Sequence, residues 1–187
     1  MSAEAVCQVR PGGAMERDVI VKGVAPAGKT GGCAGGAMTI RRAGSDDLAI
    51  LVQLEEESQL RPWPEQLFQG EMENPHSRID LLLVEGRPAG YLCYHFLLGE
   101  ISIINLVVSP RFRRRGGARG LLENALLGEN GAEKAFLEVR VGNKGAIALY
   151  RCCGFQEYGA RKGYYADGEA ALLMEWSVGK GGDEKTS

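Results

Sequence analysis

Residues 111–119 read Arg-Phe-Arg-Arg-Arg-Gly-Gly-Ala-Arg. Arginine grips phosphate and carboxylate through two parallel hydrogen bonds. Gly116, Gly117 and Ala118 carry almost no side chain, so a ligand can come close to their backbone. The segment before them, 101–108, is an apolar β-branched run that reads as a strand. Ser109-Pro110 stops it, because proline cannot donate to a ladder. The segment after them, 121–127, reads as a helix. The first N–H groups of a helix have no intrahelical acceptor and sit at the positive end of its dipole. Strand, basic glycine turn and helix together make an anion site. Without a ligand, the same residues would be a solvated basic loop ahead of an ordinary helix.

The elements that must carry this loop can be read along the chain. Residues 1–37 hold eight glycines and no sustained apolar period, and read as a flexible leader. Met38 opens the alternating start Met-Thr-Ile-Arg-Arg. We expect Met38 to be the natural first residue, with 1–37 an extension of the start site, which intact-mass analysis of the endogenous protein would test. Ser45-Asp46-Asp47 marks a helix start running to about Ser58. Pro64 stands at the head of a second helix, 65–73. Strands are expected at 79–84, 89–97 and 101–108, joined by tight turns as a meander. A helix at 117–128, a strand at 134–140 and a helix opened by Asn143 and closed by Gly154 follow. Strands at 155–158 and 170–176 end the domain, and 179–187 is a polar tail. The order β-α-α-β-β-β-α-β-α-β-β is α/β, with helices flanking a central mixed sheet.

The 187 residues, 44% hydrophobic and 25% charged, fit one globular domain spanning 38–178. A net charge of −2 gives no general affinity for nucleic acid, so the basic cluster is a local feature. No stretch approaches the roughly 20 apolar residues that span a bilayer, and no secretory pattern opens the chain. Five cysteines without a Cys-x-x-Cys pair suggest reduced thiols in a cytoplasm. His76 and His95 are far apart, one a loop residue and one a strand residue, and no metal site is expected.

Two segments carry a resemblance. Arg113-Arg114-Arg115-Gly116-Gly117-Ala118 resembles the (Gln/Arg)-x-x-Gly-x-(Gly/Ala) acetyl-CoA pyrophosphate loop of the GNAT N-acetyltransferase superfamily. Residues 137–155, Leu-Glu-Val-Arg-Val-Gly-Asn-Lys-Gly-Ala-Ile-Ala-Leu-Tyr-Arg-Cys-Cys-Gly-Phe, resemble the corresponding stretch of RimI-type ribosomal-protein-alanine N-acetyltransferases. With Asn105-Leu106-Val107-Val108 and Pro62-Trp63, the similarity covers 38–176. It implies a GNAT-like, mostly antiparallel sheet and acetyl-CoA as cosubstrate.

The resemblance also implies roles. The acceptor amine attacks the thioester directly, so the donor must be fixed, the amine must lose a proton and the thiolate must leave. Leu106, Val107 and Val108 would hold the pantetheine arm through backbone hydrogen bonds. Arg113, Arg114, Arg115, Gly116, Gly117, Ala118 and Arg119 would hold the pyrophosphate. Asn143 would touch the cofactor, and a backbone N–H near Val108 would face the oxyanion. Glu138 would be the general base. Without the motif it reads first as a surface carboxylate paired with a nearby arginine. Tyr150 would be the acid that protonates the thiolate, although by spacing alone it is a core aromatic. Tyr164 and Tyr165 would be a rim pair clasping an extended peptide N-terminus. Relatives of this type often carry Glu-Asp-Ala where this chain has Glu169-Ala170-Ala171.

An α-amine has a pKa of about 7.7–8.0 and lysine about 10.4, so at pH 7 roughly 10% of N-termini but only about 0.04% of lysines are neutral. A single carboxylate base therefore suits a protein N-terminus. The acceptor implied by the resemblance is the N-terminal alanine of a small-subunit ribosomal protein. Three alternatives stay open: acetylation of lysine or a small amine, an acetyl-CoA-binding module without turnover, and an RNA-binding module. The last conflicts with the net charge and lacks interleaved aromatics.

Overall fold

The structure is a computed structural model that describes residues 37–179 and two short strands, Val6–Cys7 and Val19–Ile20. The rest of the leader 1–37, and the tail beyond Gly179, lie outside the described residues. Strand β1 (Met38–Arg42) pairs antiparallel with β2 (Ser77–Val84). Between them the chain forms helices α1 (Leu48–Ser58) and α2 (Glu65–Glu73). A 3-10 turn over Ser45–Asp47 precedes α1. Ser45 is the expected cap, yet the residue before α1 is Asp47, whose carboxylate makes no capping bond to α1: it accepts from the Gly44 N–H behind it at 2.9 Å and pairs with Arg41 at 2.7 Å. Pro64, expected as the first helical residue of α2, sits one position earlier, as its N-cap.

Strands β2, β3 (Arg87–Leu97) and β4 (Glu100–Val108) form the expected meander. Its turns, Glu85-Gly86 and Leu98-Gly99, hold both residues at positive φ (52° and 75°, 51° and 82°). That geometry matches the twist of paired strands. Helix α3 (Gly117–Gly128), strand β5 (Lys134–Arg140), helix α4 (Lys144–Cys152) and strands β6 (Gln156–Arg161) and β7 (Ala171–Ser177) complete the domain.

Among the described residues, the sheet order is β1-β2-β3-β4-β5-β7-β6, and only β4 and β5 are parallel. Val6–Cys7 and Val19–Ile20 pair with each other, and Cys7 pairs with Val139 of β5. Each face of the sheet has its own core. Leu51 and Leu54 of α1 and Phe68 of α2 pack on Leu81, Tyr91, Ile104 and Val107. Leu121, Leu122 and Ala125 of α3 and Ile147 and Tyr150 of α4 pack on Leu92, Leu106, Leu137 and Val139. The mixed, mostly antiparallel α/β sheet is the one expected from the sequence.

Candidate active site

The site begins where two parallel strands part. β4 and β5 pair only over Glu100–Ser102 and Lys134–Phe136. Beyond that point β4 carries a bulge: Cys93 pairs with Asn105 and Tyr94 with Ile103, which leaves Ile104 as the extra residue. A bulge bends its strand and sharpens the twist. Here it also turns two consecutive residues to one face, because Ile104 packs in the α1–α2 core and Asn105 reaches Glu55 of α1. The bulge is anchored below. The Asn105 Nδ2 donates to the Tyr91 hydroxyl at 2.7 Å, and Tyr91 donates to Glu55 Oε2 at 2.6 Å. Glu55 Oε1 accepts from the Trp63 N–H at 3.1 Å. Glu55 is fully buried, and a buried carboxylate is tolerated only when donors satisfy it in this way.

β3 occupies one edge of β4 and β7 one edge of β5, so the edges facing each other past Ser102 and Phe136 part into a wedge. Leu106, Val107 and Val108 line it on the β4 side. Cys7 pairs with Val139 on the β5 side, so the wedge accommodates extended backbone. This is the geometry in which Leu106–Val108 could pair with a pantetheine arm.

At the end of β4, the 3-10 turn Pro110–Phe112 leads into the arginine loop and α3. Arg114 and the α3 N-cap Gly116 both lie at positive φ, 63° and 85°. Glycine adopts that conformation without strain, and it aims the N–H groups of Gly117, Ala118 and Arg119 outward from the helix start. A Cβ on Gly117 would stand 2.5 Å from Leu82 Cδ2, so glycine lets α3 seat against β2. The arginines divide their tasks. Arg113 Nε donates to the Val108 carbonyl at 2.9 Å and fastens the loop to the strand. Arg115 stacks near the Phe112 ring, 5.7 Å from its centroid, and Arg119 pairs with Glu123 at 2.7 Å. Arg114 and Arg115 are exposed beside the helix start.

Glu138 lies on β5 between Leu137 and Val139, which belong to the α3–α4 core. Strand alternation sends its side chain to the other face, where it is 7% exposed. Its Oε1 is 2.6 Å from Nη1 of Arg161 at the end of β6. Glu138 and Arg161 share a face because Glu138 stands opposite Leu173 of β7, which stands opposite Gly159, two residues before Arg161. The carboxylate is therefore arginine-paired, as a simple reading of the sequence allows, yet buried at the mouth of the wedge. Tyr158 lies nearby, its hydroxyl raised above the usual tyrosine range by burial and by the charge of Glu138.

Tyr150 approaches from the opposite side. Its ring is fully buried in the α3–α4 core, 5.7 Å from Phe155. Base and acid candidates thus flank the wedge from its two faces. The tyrosine pair is not symmetric as expected. Tyr165 is buried, with the Arg140 guanidinium 3.8 Å from its ring centroid, and only Tyr164 stands partly open. Arg140 also binds Asp167 at 2.7 Å and Glu169 at 2.9 Å, which ties the β6–β7 loop to β5 two residues along from Glu138. Arg140, Arg161, Asn105 and Glu55 are positioning residues that sequence reading did not single out. The arginines carried a signal only in their motif, the second one just before Tyr164-Tyr165.

Asn143 gives a direct test of fit for a nucleotide thioester. It caps α4, its Oδ1 accepting from the Ala146 N–H at 2.8 Å, and it is fully buried. Its Nδ2 is buried without a hydrogen-bond partner among the described residues. A donor in that position suits an acceptor on a bound ligand. The parted strand edges, the helix start and this amide together fit acetyl-CoA. Among the described residues, no three His, Cys, Asp or Glu side chains cluster as metal ligands, and no helix is long and apolar enough to cross a membrane.

Such a splayed sheet, anion loop and buried carboxylate define an acyl-CoA-dependent acetyltransferase, and residues 48–155 match the acetyltransferase (GNAT) family model. The chain belongs to that family and is an acetyl-CoA-dependent N-acetyltransferase. Among its relatives, a [ribosomal protein bS18]-alanine N-acetyltransferase of Salmonella typhimurium is 36% identical over 73% of this chain and 95% of its own length. An N-alpha-acetyltransferase of Saccharolobus solfataricus is 29% identical over 73% of this chain and 90% of its own. The crystal structure of the ribosomal-protein-S18-alanine N-acetyltransferase from Escherichia coli superposes with a TM-score of 0.71 at 30% identity, covering 81% of this chain and all of that one.

Proposed function

We propose that this enzyme transfers acetyl from acetyl-CoA to the N-terminal α-amine of a protein in the cytoplasm, the N-terminal alanine of ribosomal protein bS18, with residues 38–178 as the acetyltransferase unit. The observation that carries the chemistry is the buried Glu138 carboxylate on one face of the β4–β5 wedge with Tyr150 on the other. The choice of acceptor is supported by the bS18-alanine acetyltransferase relative, matched over 95% of its length.

The residues divide the reaction as follows. Leu106 to Val108 hold the extended arm of the donor along β4, and Asn143 donates to it from the head of α4. The N–H groups at the start of α3, with Arg114 and Arg115, hold the pyrophosphate. Tyr164 borders the acceptor's path. The neutral amine nitrogen bonds to the acetyl carbon, and the carbon–sulfur bond breaks. Glu138 takes the proton that the nitrogen loses, and Tyr150 gives its proton to the departing sulfur. Solvent exchange returns both side chains to their starting forms. The sum is amine plus thioester giving amide plus thiol. An ordinary tyrosine pKa of about 10 is close enough to a thiol's, about 8.5, for this donation to be accessible.

Incubation of unacetylated bS18 with the enzyme and acetyl-CoA, followed by mass spectrometry of its N-terminal peptide, tests the assignment. Acetyl on the α-amine is expected. A modified internal lysine, with the N-terminus untouched, contradicts it.

A further inference from the structure

The Glu138–Arg161 ion pair has a consequence for which amine the site accepts. Glu138 Oε1 and Arg161 Nη1 are 2.6 Å apart, with side-chain exposures of 10% and 53%. The base is therefore buried while its cation reaches the surface. Arg161 also lies 5.6 Å from the Tyr164 ring centroid, so its guanidinium is placed between that partly open tyrosine and the carboxylate. Register fixes this arrangement. Gly159, the β6 residue level with Glu138 across Leu173, has no side chain to screen the pair.

We propose that Arg161 is a specificity-determining residue that makes the site select an acceptor arriving uncharged, and so select an α-amine over a lysine side chain. The inference rests on the Nα reading above and deepens it. A carboxylate alone would attract an ammonium. Paired with a guanidinium, Glu138 presents no net charge, and an incoming ammonium meets Arg161 instead. The acceptor must then shed its proton before it enters. At pH 7 that requirement separates an N-terminus from a lysine by roughly 250-fold in neutral fraction. Other charged groups share this face, the Arg140–Asp167–Glu169 cluster with one excess negative charge among them, so it is the direct contact of Arg161 with the carboxylate that decides what an acceptor meets first. Tyr158 on β6 is neutral, held protonated by burial and by Glu138 itself. Glu175 of β7 stands opposite Phe136, on the face that carries Glu138, and its charge also raises the Tyr158 hydroxyl. On β5, Arg140 is engaged with Asp167 and Glu169.

The test compares kcat/KM at pH 7 for two peptides, one with a free N-terminal alanine and the other blocked at its N-terminus and carrying one lysine. Wild type, Arg161→Gln and Arg161→Lys are measured side by side. Arg161 is half exposed on an edge strand, so neither replacement opens a cavity, and an unchanged acetyl-CoA dissociation constant verifies the fold. The ratio of the two peptides should fall about tenfold in Arg161→Gln, the equivalent of one pKa unit. It should stay near the wild-type value in Arg161→Lys, which keeps the charge. An equal ratio in wild type and Arg161→Gln overturns the role of Arg161, as does a loss in Arg161→Lys equal to that in Arg161→Gln. A wild-type enzyme that favours the lysine peptide overturns the Nα reading itself and this inference with it, and that outcome is visible before any variant is made.

Discussion

The hydroxyl of Tyr91 donates to the Glu55 carboxylate at 2.6 Å, and both groups are fully buried. Burial and the adjacent carboxylate raise the Tyr91 hydroxyl well above its ordinary value. Tyr94, hydrogen-bonded to Glu129, is raised for the same reasons, burial first. A group that keeps its proton in the fold beyond the unfolded value contributes stability below that value and loses it as pH rises. The melting temperature should therefore drop steeply above about pH 10, the unfolded tyrosine value. Tyr91→Phe should flatten that drop while lowering stability at pH 7 by about 1–3 kcal/mol, because Asn105 and Glu55 lose a shared partner. Melting curves from pH 7 to 11 check this, and an unaltered alkaline slope in Tyr91→Phe would contradict it.

Acid acts through a different pair. Hydrogen bonds from Arg41, and further from Gly44, hold the Asp47 carboxyl below its usual value against the opposing effect of burial. A lowered carboxylate contributes stability above its unfolded value of about 3.9 and loses it as pH falls. Asp47→Asn should be less stable than wild type at pH 7, and the two should converge as pH falls below that unfolded value. A gap in melting temperature that persists at low pH would assign the effect to packing instead.

We propose two duties for Asn143, one per amide atom. Asn143→Ala should cost about 0.5–2 kcal/mol of stability through the lost α4 cap. Asn143→Asp keeps an oxygen for the Ala146 N–H and replaces the Nδ2 donor with a charged oxygen. Acetyl-CoA binding by calorimetry should weaken severalfold in both variants, although Asp retains the cap. Full affinity in Asn143→Asp would remove Asn143 from the cofactor site.

At Gly116, φ of 85° and an open surrounding separate ligand binding from packing. Gly116→Glu should weaken acetyl-CoA binding at least tenfold by setting an anion at the helix start, with about 1 kcal/mol of conformational strain. Gly116→Asn, which tolerates the left-handed conformation, should bind nearly as well as wild type. Equal affinity in all three proteins would refute the anion site.

Much of the fold was legible because its periodic segments are long and sharply punctuated. The limits of α2, α3 and β5 are those read from residues 65–73, 117–128 and 134–140. The misses have local causes. β6 was expected to end at Tyr158 but runs to Arg161, because Gly159 and Ala160 have little intrinsic strand preference and pairing with β7 carries them. That error hid the partner of Glu138. The bulge at Ile104 lies in the stretch 101–108, where Ser102 and Asn105 interrupt the apolar residues without regular alternation, so the separation of β4 from β5 could not be read. The site motifs were visible as sequence, but which tyrosine stays open depends on Arg140, whose stacking on Tyr165 is a tertiary contact.

The acid and base assignments are separable by kinetics. Tyr150→Phe keeps the buried ring and its contact with Phe155, so acetyl-CoA should still bind while kcat falls by about 10²–10⁴, the usual worth of a general acid. Glu138→Gln should behave likewise toward the amine. Loss of acetyl-CoA binding in Tyr150→Phe would make the tyrosine structural.

Thiol release from acetyl-CoA, followed with the free N-terminal alanine peptide and with the N-terminally blocked lysine peptide, tests the central claim most directly. Turnover on the first and none above background on the second is the result expected of an Nα-acetyltransferase. Turnover on the blocked lysine peptide alone would contradict that account, whatever the fold and the cofactor site have in common with its relatives.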